Sequence, residues 1–227
     1  MKTFLQILVS CTILVNLSTE GLLANRNPKN LLLPAVAEKT KPAVVRIERL
    51  IFDEYEQGRL PKFSGSGVLV SPQGHILTCA HVLRHDHVVR VILWDGTQAK
   101  ARVVSVDATN DLALLQLIHS KKETPFVGFA SPARLDEPVY VIGHPLGLPW
   151  EITFGVITHL SGTLLQSDAQ VHPGSSGGGV FSAEGKLTAL TQAVLESAPS
   201  TSEAILIDGQ VCQRFWQNSR SHFVSSN

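Results

Sequence analysis

The length, composition and charge of the chain exclude some classes of protein. Its 227 residues, 44% of them hydrophobic, suffice for one large β domain or for two small ones that share a core. Nineteen basic and nineteen acidic side chains leave a formal net charge of zero. No basic field therefore indicates nucleic acid or an anionic membrane surface as a partner.

The first 24 residues have the pattern of a secretory signal peptide. Lys2 precedes the apolar stretch FLQILVSCTILVNL, and small and polar residues follow up to Ala24, a suitable residue before a cleavage site. The apolar stretch is shorter than the roughly 20 residues that a membrane-spanning helix needs. We expect a cleaved leader and a secreted or periplasmic protein with no stable membrane insertion; the alternative is a leader kept as an anchor.

Removal of the leader would leave two cysteines, Cys79 and Cys212. Two cysteines do not form a disulfide framework, and the sequence leaves open whether they are bonded to each other. The fold must therefore be held mainly by its hydrophobic core.

After an N-terminal segment, residues 25–41, the chain is a series of short β-type segments separated by turn residues. Segments such as AVVRIERLI and VVRVILW are rich in Val and Ile, while SPQG, DGT and SAEG between the segments are typical of turns. This spacing predicts a sandwich or barrels rather than alternating strands and helices. A charged, proline-containing stretch interrupts the pattern, so two barrels at about 42–125 and 126–207 are the simplest partition.

One helix is predicted, over residues 208–218, at the end of a domain that spans residues 42–220. Asp208 is a good N-cap for it. The apolar side chains of this segment recur at helical spacing and form one stripe suited to docking on a β core. They are Val211, Cys212, Phe215 and Trp216.

A histidine, His81, follows the strand segment HILTC. Histidine is the side chain best suited to proton transfer near neutral pH, because its unperturbed pKa lies there. His81 is one of nine histidines, and taken alone it would be read as a residue without a catalytic role.

An acidic residue, Asp111, stands at the start of the apolar segment LALLQL. A carboxylate at the mouth of a buried strand is costly unless it finds a partner, and an imidazole N–H would satisfy it while fixing the tautomer of the ring. Asp111 is therefore the candidate partner of His81. Asp107 is the rival, and it has the character of a turn residue.

The sequence VHPGSSGGGVF, residues 171–181, contains four glycines and a proline, which disfavours an ordinary strand. Acyl transfer by a serine needs a hydroxyl beside a base and backbone N–H groups directed at the oxyanion. Glycines let the main chain turn tightly and approach a substrate, which would explain this composition. The residues alone leave open whether Ser175 or Ser176 reacts, and a glycine-rich surface loop is the alternative.

The order His, Asp, Ser is that of chymotrypsin-like proteases. Several segments in the right order resemble the protease domain of the HtrA/Deg family: GSGVLVSPQGHILTCAHVL, DLALLQL, VIGHPLGLPWEITFGVIT and QSDAQVHPGSSGGGVFSAEGKLTAL. The resemblance covers most of the chain after the leader. It implies an all-β fold, a chymotrypsin-like double β-barrel with a C-terminal helix, and a reaction that needs no metal or organic cofactor.

The resemblance also implies a role for each candidate residue. Ser176 would be the nucleophile and His81 the general base, oriented by Asp111. The N–H groups of Gly174 and Ser176 would form the oxyanion hole. The implied function is that of a serine endopeptidase that hydrolyses unfolded or extended polypeptides through an acyl-enzyme, in protein quality control. Polypeptide substrates are the implied partners, and family members often assemble as homo-trimers.

The sequence departs from the family's pattern near the nucleophile. The family usually has Asn before the serine and Pro after the glycine pair, where this chain has Ser175 and Gly179. We expect Gly179 to add flexibility next to the oxyanion loop. Cys79 stands where the family often has Asn, and we expect it to be a small buried residue. The usual PDZ domains have no counterpart in the eleven residues after Trp216.

By the same resemblance, the primary specificity pocket is lined by Gln170, Val171 and the segment LESAPSTSEA. No acidic floor for Arg or Lys is evident, since the resemblance treats Asp168 as structural. We therefore expect cleavage after small or medium aliphatic residues.

Two other functions fit parts of the sequence. The first is a metal hydrolase, because the stretch HVLRHDHVV gathers four potential zinc ligands, although without a standard zinc spacing. These ligands are His81, His85, Asp86 and His87. The second is a non-proteolytic binding or chaperone-like module on a retained protease fold.

Overall fold

The computed structural model describes residues 28–53, 58–118, 123–198 and 201–224. These residues form twelve β-strands in two closed barrels and three α-helices: α1 (Pro28–Thr40), α2 (Ala80–Leu83) and α3 (Gly209–Val224). The predicted all-β double barrel with a C-terminal helix is confirmed. The predicted signal peptide lies outside the described residues. Within those residues, no helix combines the length and the apolar character that crossing a membrane requires.

The first barrel contains β1 to β6, paired antiparallel in the spatial order β1-β2-β3-β6-β5-β4. The strands are β1 (Val44–Asp53), β2 (Gly58–Leu69), β3 (His75–Cys79), β4 (Val88–Ile92), β5 (Gln98–Asp107) and β6 (Leu112–Leu117). Helix α2 follows β3 directly, so this one-turn helix begins at the end of a buried strand.

The second barrel contains β7 to β12, in the spatial order β10-β11-β12-β9-β8-β7. The strands are β7 (Pro138–Gly143), β8 (Glu151–Ser161), β9 (Leu164–Ser167), β10 (Gly179–Ser182), β11 (Leu187–Ala198) and β12 (Thr201–Asp208). The predicted boundary between the barrels, near residue 125, falls between β6 and β7.

The strands that precede or follow the candidate site residues are buried on both faces. In β6, with the sequence LALLQL, five of the six side chains are buried, and all four are buried in β10, with the sequence GVFS. A strand with one face in solvent would alternate apolar and polar residues instead. Burial on both faces fixes the ends of β6 and β10, and these ends adjoin Asp111 and the loop that contains Ser176.

The apolar cores of the barrels are continuous. The larger cluster of buried side chains fills the first barrel and extends to Tyr140 and Phe181 in the second, whose rings stack with centroids 5.4 Å apart. A smaller cluster around Val139, Ile157 and Leu165 fills the rest of the second barrel. Because close-packed cores deform little, this continuity fixes the position of one barrel relative to the other.

Helix α3 is capped as predicted but is longer than the predicted residues 208–218. The Asp208 carboxylate accepts a hydrogen bond from the N–H of Gln210 at 2.6 Å, as an N-cap does. The helix continues to Val224, and the Arg220 guanidinium lies 4.4 Å from the centroid of the Trp216 ring. Because residues four apart share a helix face, this cation–π contact supports the extra turns.

The N-terminal segment contains a helix that the sequence pattern did not predict. Helix α1 includes Pro34, and a proline inside a helix removes one backbone hydrogen bond. Docking compensates for this loss: Leu33 and Ala37 are buried, and the Thr40 hydroxyl shares a hydrogen bond of 2.8 Å with the Tyr140 hydroxyl. Tertiary packing therefore outweighs a weak local preference.

Both cysteines of the described chain are free thiols in buried positions. The Cys79 thiol donates to the carbonyl of Thr191 at 3.3 Å, as expected for a small buried residue with one weak donor. Burial, together with the charge of Asp111, raises the pKa of this thiol well above its ordinary value, so it is not poised to act as a nucleophile.

Candidate active site

His81 and Asp111 are joined by two hydrogen bonds at one end of the first barrel. The backbone N–H of His81 donates to Asp111 Oδ1 at 2.9 Å, and its Nδ1 lies 2.7 Å from Asp111 Oδ2. An ionised carboxylate can only accept, so Nδ1 carries the proton and Nε2 keeps a free lone pair. With half of its side chain exposed, His81 can present Nε2 to the cleft as a proton acceptor.

Asp111 holds its position through a strained backbone conformation. Its φ is +55°, in the left-handed region that few non-glycine residues adopt and that Asp and Asn tolerate best. The carbonyl of Asp111 accepts a hydrogen bond from the N–H of Ala80 at 2.9 Å, which ties the start of β6 to the start of α2. Backbone and side chain therefore both connect Asp111 to the segment that contains His81.

Asp107 has the turn role that the sequence suggests. Its carboxylate accepts hydrogen bonds from the backbone N–H groups of Thr109 and Asn110, and from the Asn110 side-chain amide at 2.7 Å. The bond from the Asn110 side chain lowers the pKa of the Asp107 carboxyl. The Asp107 carboxylate therefore stabilises the turn before Asp111.

Gln192, in β11 of the second barrel, links the remaining candidate to this pair. Its Nε2 donates to Asp111 Oδ2 at 3.2 Å, and its backbone carbonyl accepts a hydrogen bond from Ser176 Oγ at 3.1 Å. A hydrogen-bonded chain thus runs Ser176–Gln192–Asp111–His81 across the two barrels. The Ser176 hydroxyl donates to the Gln192 carbonyl in this structure, so its proton must leave that carbonyl to reach His81 Nε2.

No motif in the sequence indicates a role for Gln192. It stands within β11, where the register with β12 shifts between Thr191 and Ala193. This irregularity takes Gln192 out of the ladder and frees its carbonyl and its side chain for the contacts just described. Only the fold brings a residue 81 positions away to Asp111.

A type II turn over residues 172–175 leads to Ser176. Pro173 and Gly174 occupy the central positions, the φ of Gly174 is +100°, and the N–H of Ser175 donates to the carbonyl of His172 at 2.9 Å. The Pro173 carbonyl accepts a hydrogen bond from the N–H of Leu146 at 2.9 Å. Because the 173–174 peptide is trans, its N–H, which belongs to Gly174, points away from Leu146.

Further main-chain groups of this loop are paired. The carbonyl of Ser175 accepts from the N–H of Gly178 at 2.7 Å, and the N–H of Gly177 donates to Thr191 at 2.8 Å. Gly177 has a φ of +78°, and a Cβ at this position would collide with the Ser66 carbonyl and the Thr78 hydroxyl. Only glycine therefore fits where the loop passes the first barrel.

The N–H groups of Gly174 and Ser176 have no hydrogen-bond partner among the residues that the structure describes, and neither do those of Val171 and His172 earlier in the loop. Backbone N–H groups in folded proteins are almost always paired, so unpaired donors next to a serine hydroxyl indicate a place for an acceptor from outside the chain. The N–H groups of Gly174 and Ser176 are the two for which the family resemblance implies an oxyanion hole.

The residues expected to line a specificity pocket differ in exposure. Val171 is buried in the core of the second barrel, whereas the Gln170 side chain is exposed and its carbonyl accepts from the Thr153 hydroxyl at 2.7 Å. Asp168 Oδ1 accepts a hydrogen bond from the N–H of Val156 at 2.7 Å. Asp168 is thus engaged in holding β8 next to this loop.

Gly179 does not loosen the loop as expected. It lies in β10, paired with Leu190 on one side and Ile142 on the other, and a Cβ at this position would collide with the Phe181 ring. The absence of a side chain makes room for a buried aromatic ring, so Gly179 is a packing residue in a central strand.

The four potential zinc ligands within residues 81–87 are not brought together. The Asp86 carboxylate accepts a hydrogen bond from Arg49 Nε at 2.6 Å. Among the described residues, the group whose potential ligand atoms lie close together is Cys79, His81 and Asp111. The Nδ1 atom of His81 is already bonded to Asp111 in this group, and the Cys79 thiol is protonated and buried.

His144 is a second, buried histidine near the loop. Its ring centroid lies 5.0 Å from that of Trp150, and its Nδ1 has no hydrogen-bond partner in the described part of the chain. Burial, together with the charge of Arg46, lowers the pKa of His144 from 6.5 to about 4. The folded protein therefore holds this ring neutral.

Acid is expected to destabilise the fold through His144. The pKa of His144 in the folded protein lies below the unfolded value of 6.5, so the unfolded chain takes up the proton first as the pH falls. The contribution of neutral His144 to the stability of the fold is therefore complete above about pH 6.5 and is lost as the pH falls towards 4. The free energy of unfolding should drop by about 3 kcal/mol over this range from His144 alone. Urea unfolding of a His144→Asn variant, which cannot titrate there, should show a correspondingly smaller drop. Equal drops in both proteins would contradict this assignment.

Comparisons with known proteins agree with this fold. A family model described as a trypsin-like peptidase domain matches residues 65–190. The chain is 33% identical over 183 residues to the chloroplastic Protease Do-like 1 of Arabidopsis thaliana, covering 74% of this chain and 41% of that protein. It is 32% identical over 169 residues to serine protease HTRA1 of Xenopus laevis, covering 68% and 37%.

A bacterial relative and a solved structure extend this picture. A probable periplasmic serine endoprotease, DegP-like, of Halomonas elongata is 31% identical over 138 residues, covering 57% of this chain and 29% of that protein. The chain thus spans less than half the length of these relatives. The structure of the HtrA-type protease AlgW with decapeptide matches the fold with a TM-score of 0.73 at 23% identity, covering 84% of this chain and 68% of that one.

The matches to Deg- and HtrA-type proteases confirm the resemblance seen in the sequence motifs. Since the family model spans more than half of the 227 residues, the chain belongs to the family of trypsin-like peptidase domains.

Proposed function

We propose that this chain is a serine endopeptidase that hydrolyses peptide bonds of unfolded or extended polypeptides through an acyl-enzyme. The observation that carries the proposal is the hydrogen-bonded chain Ser176–Gln192–Asp111–His81, which joins the loop of one barrel to helix α2 of the other. The named Deg- and HtrA-type relatives support it. The side chains of Ser176, His81 and Asp111 are those that acyl transfer by a serine requires.

Each residue has a defined role in the proposed reaction. Ser176 Oγ attacks the substrate carbonyl carbon while its proton passes to His81 Nε2, and Asp111 accepts a hydrogen bond from the Nδ1–H of the resulting imidazolium. The N–H groups of Gly174 and Ser176 donate to the oxyanion. Collapse of the tetrahedral intermediate breaks the peptide bond, and His81 returns the proton to the leaving amine. Water then attacks the acyl-enzyme by the same route and regenerates Ser176.

An unpaired strand edge supports an extended polypeptide as the substrate. The pairing of β11 with β10 ends at Leu190, and hydrogen bonds from the loop that contains Ser176 continue on the same side as far as Thr191 and the carbonyl of Gln192. Beyond that point, residues 193–196 are paired within the described chain to β12 alone. A substrate could add there as an antiparallel strand, with its scissile bond next to Ser176.

The preference for the residue before the scissile bond follows from the same region. Val171 offers an apolar side chain, and the carboxylate of Asp168 is engaged with Val156. The Asp168 carboxylate is therefore not free to form an acidic floor for Arg or Lys. We propose cleavage after small or medium aliphatic residues, with Gln170 at the rim of the pocket.

The setting of the reaction follows from the leader and from the resemblance. A signal peptide over residues 1–24 would deliver the protein to the periplasm or to the exterior of the cell, where HtrA/Deg-like quality control acts on unfolded proteins. Assembly as a homo-trimer is proposed on the resemblance alone.

Covalent labelling tests the proposed nucleophile. Residues 25–227, folded and at neutral pH, should react with a serine-directed fluorophosphonate, and peptide mass spectrometry should place the adduct on Ser176. A hydroxyl reacts in this way only when a neighbouring base removes its proton, so heat-denatured protein should stay unlabelled. Labelling of Ser175 instead, or none in the folded sample, would contradict the proposal and favour a binding module.

A further inference from the structure

Ser66 makes a fully buried contact between the first barrel and the loop that contains Ser176. Its N–H donates to the Ser176 carbonyl at 2.8 Å, and its hydroxyl donates to the Gly174 carbonyl at 3.0 Å. The hydroxyl also accepts a hydrogen bond from the N–H of His144 at 3.0 Å. On the other side, the Thr78 hydroxyl donates to the Ser66 carbonyl at 2.7 Å. All polar groups of Ser66 are therefore paired.

The direction of the hydroxyl proton follows from these contacts. A backbone N–H can only donate, so the N–H of His144 must use a lone pair of Ser66 Oγ. The carbonyl of Gly174 can only accept, so the hydroxyl proton must point to it. The Ser66 hydroxyl is therefore fixed in one orientation and binds two separate segments of the second barrel.

Through these two hydrogen bonds, the Ser66 hydroxyl helps to hold the peptides on either side of Gly174. The 174–175 peptide is bonded directly, through the Gly174 carbonyl and Ser66 Oγ. The 173–174 peptide is held by the N–H of Leu146, two residues after His144, which is itself bonded to Ser66 Oγ. Rotation of the 173–174 peptide would turn the Gly174 N–H away from its present direction, and the Ser66 hydroxyl resists it through the segment that begins at His144. The same hydroxyl fixes the 174–175 peptide, which lies between the peptides that carry the N–H groups of Gly174 and Ser176.

We propose that Ser66 is a positioning residue for the oxyanion hole. Its hydroxyl holds the loop and the segment His144–Leu146 in the arrangement that leaves the N–H groups of Gly174 and Ser176 unpaired and directed at the substrate. This inference rests on the proposed function, because it assigns Ser66 to the same reaction. Ser66 acts through these donors and does not touch the substrate.

The Ser66→Ala variant tests the role. Removing one oxyanion donor outright typically costs about 10²- to 10³-fold in kcat, so misplacing the donors should lower kcat by about 10- to 100-fold while KM changes little. The affinity for a peptide aldehyde, whose adduct with Ser176 places an oxyanion in the hole, should fall by a similar factor. The affinity for the product peptide should stay unchanged, because the product forms no oxyanion.

Two further variants separate positioning from general stability. Ser66→Cys keeps the size of the side chain with a weaker donor, so it should fold even where alanine does not and show an intermediate loss of kcat. Thr124→Val removes a buried hydroxyl that donates to the Ser71 carbonyl at 3.1 Å, away from the loop. It should lower the melting temperature and leave kcat unchanged.

The outcomes distinguish this inference from the proposed function. An inactive wild-type protein would overturn both. An active wild type with an unchanged kcat in folded Ser66→Ala or Ser66→Cys would overturn only the role of Ser66. Equal losses of kcat in Ser66→Ala and Thr124→Val would also overturn it, because they would show a general effect of losing a buried hydroxyl.

Discussion

Replacing Ser176 with alanine should lower kcat for casein or a peptide substrate by about 10⁴- to 10⁶-fold, the range seen when a nucleophilic serine is removed. The change removes one oxygen atom, whose partly buried hydrogen bond to the Gln192 carbonyl can be replaced by one from water. The fold should persist, and so should the unpaired N–H groups of residues 174 and 176. A melting temperature close to that of the wild type would show that the loss is chemical.

Ser175→Ala is the matched control for this prediction. Ser175 contributes to the loop through its N–H and carbonyl, which bond to His172 and Gly178 and which alanine keeps. No side-chain hydrogen bond of Ser175 occurs in the part of the chain that the structure describes. Activity close to the wild-type level is therefore expected. Loss of activity in Ser175→Ala with retention in Ser176→Ala would reverse the assignment of the nucleophile.

The fold could be predicted because its signals are local and repeated. The segment LALLQL, for example, is apolar at five of its six positions and follows turn residues, which indicates a central strand without knowledge of its neighbours. Helix α1 lacked such a signal, since it contains Pro34 and is held by docking of Leu33 and Ala37. Stability that comes from tertiary contacts leaves little trace in a local pattern.

The candidate site divides in the same way. His81, Asp111 and Ser176 could be named in advance because motifs surround them and the chemistry restricts the residue types. Ser66 and Gln192 could not, because each acts through contacts that cross between barrels and one of them depends on an irregular strand register. The packing role of Gly179 could not be predicted for a related reason, because it depends on the Phe181 ring that packs against this position.

Exchanging Asp111 for asparagine should lower kcat by about 10⁴-fold at neutral pH while leaving the fold intact. Asparagine tolerates the φ of +55° as well as aspartate does, so the backbone should not change. The effect arises from the amide, which has one acceptor and one donor where the carboxylate has two acceptors.

The surrounding donors decide how the amide would lie. The backbone N–H of His81 faces the position of Oδ1 and can only donate, so the amide oxygen must occupy that position. The amide NH₂ then faces His81 Nδ1, while the Gln192 side chain can rotate to present its oxygen. A donor opposite Nδ1 forces the proton of His81 onto Nε2, which can then no longer take the proton of Ser176.

Asp107→Asn is the control, because the Asp107 carboxylate bonds only within its own turn among the described contacts. Its kcat should stay near that of the wild type. Fluorophosphonate labelling of Ser176 should slow in Asp111→Asn in parallel with kcat, since both reactions require the same proton transfer to His81. If labelling stayed fast while kcat fell, Asp111 would act after acylation, and the tautomer argument would be wrong.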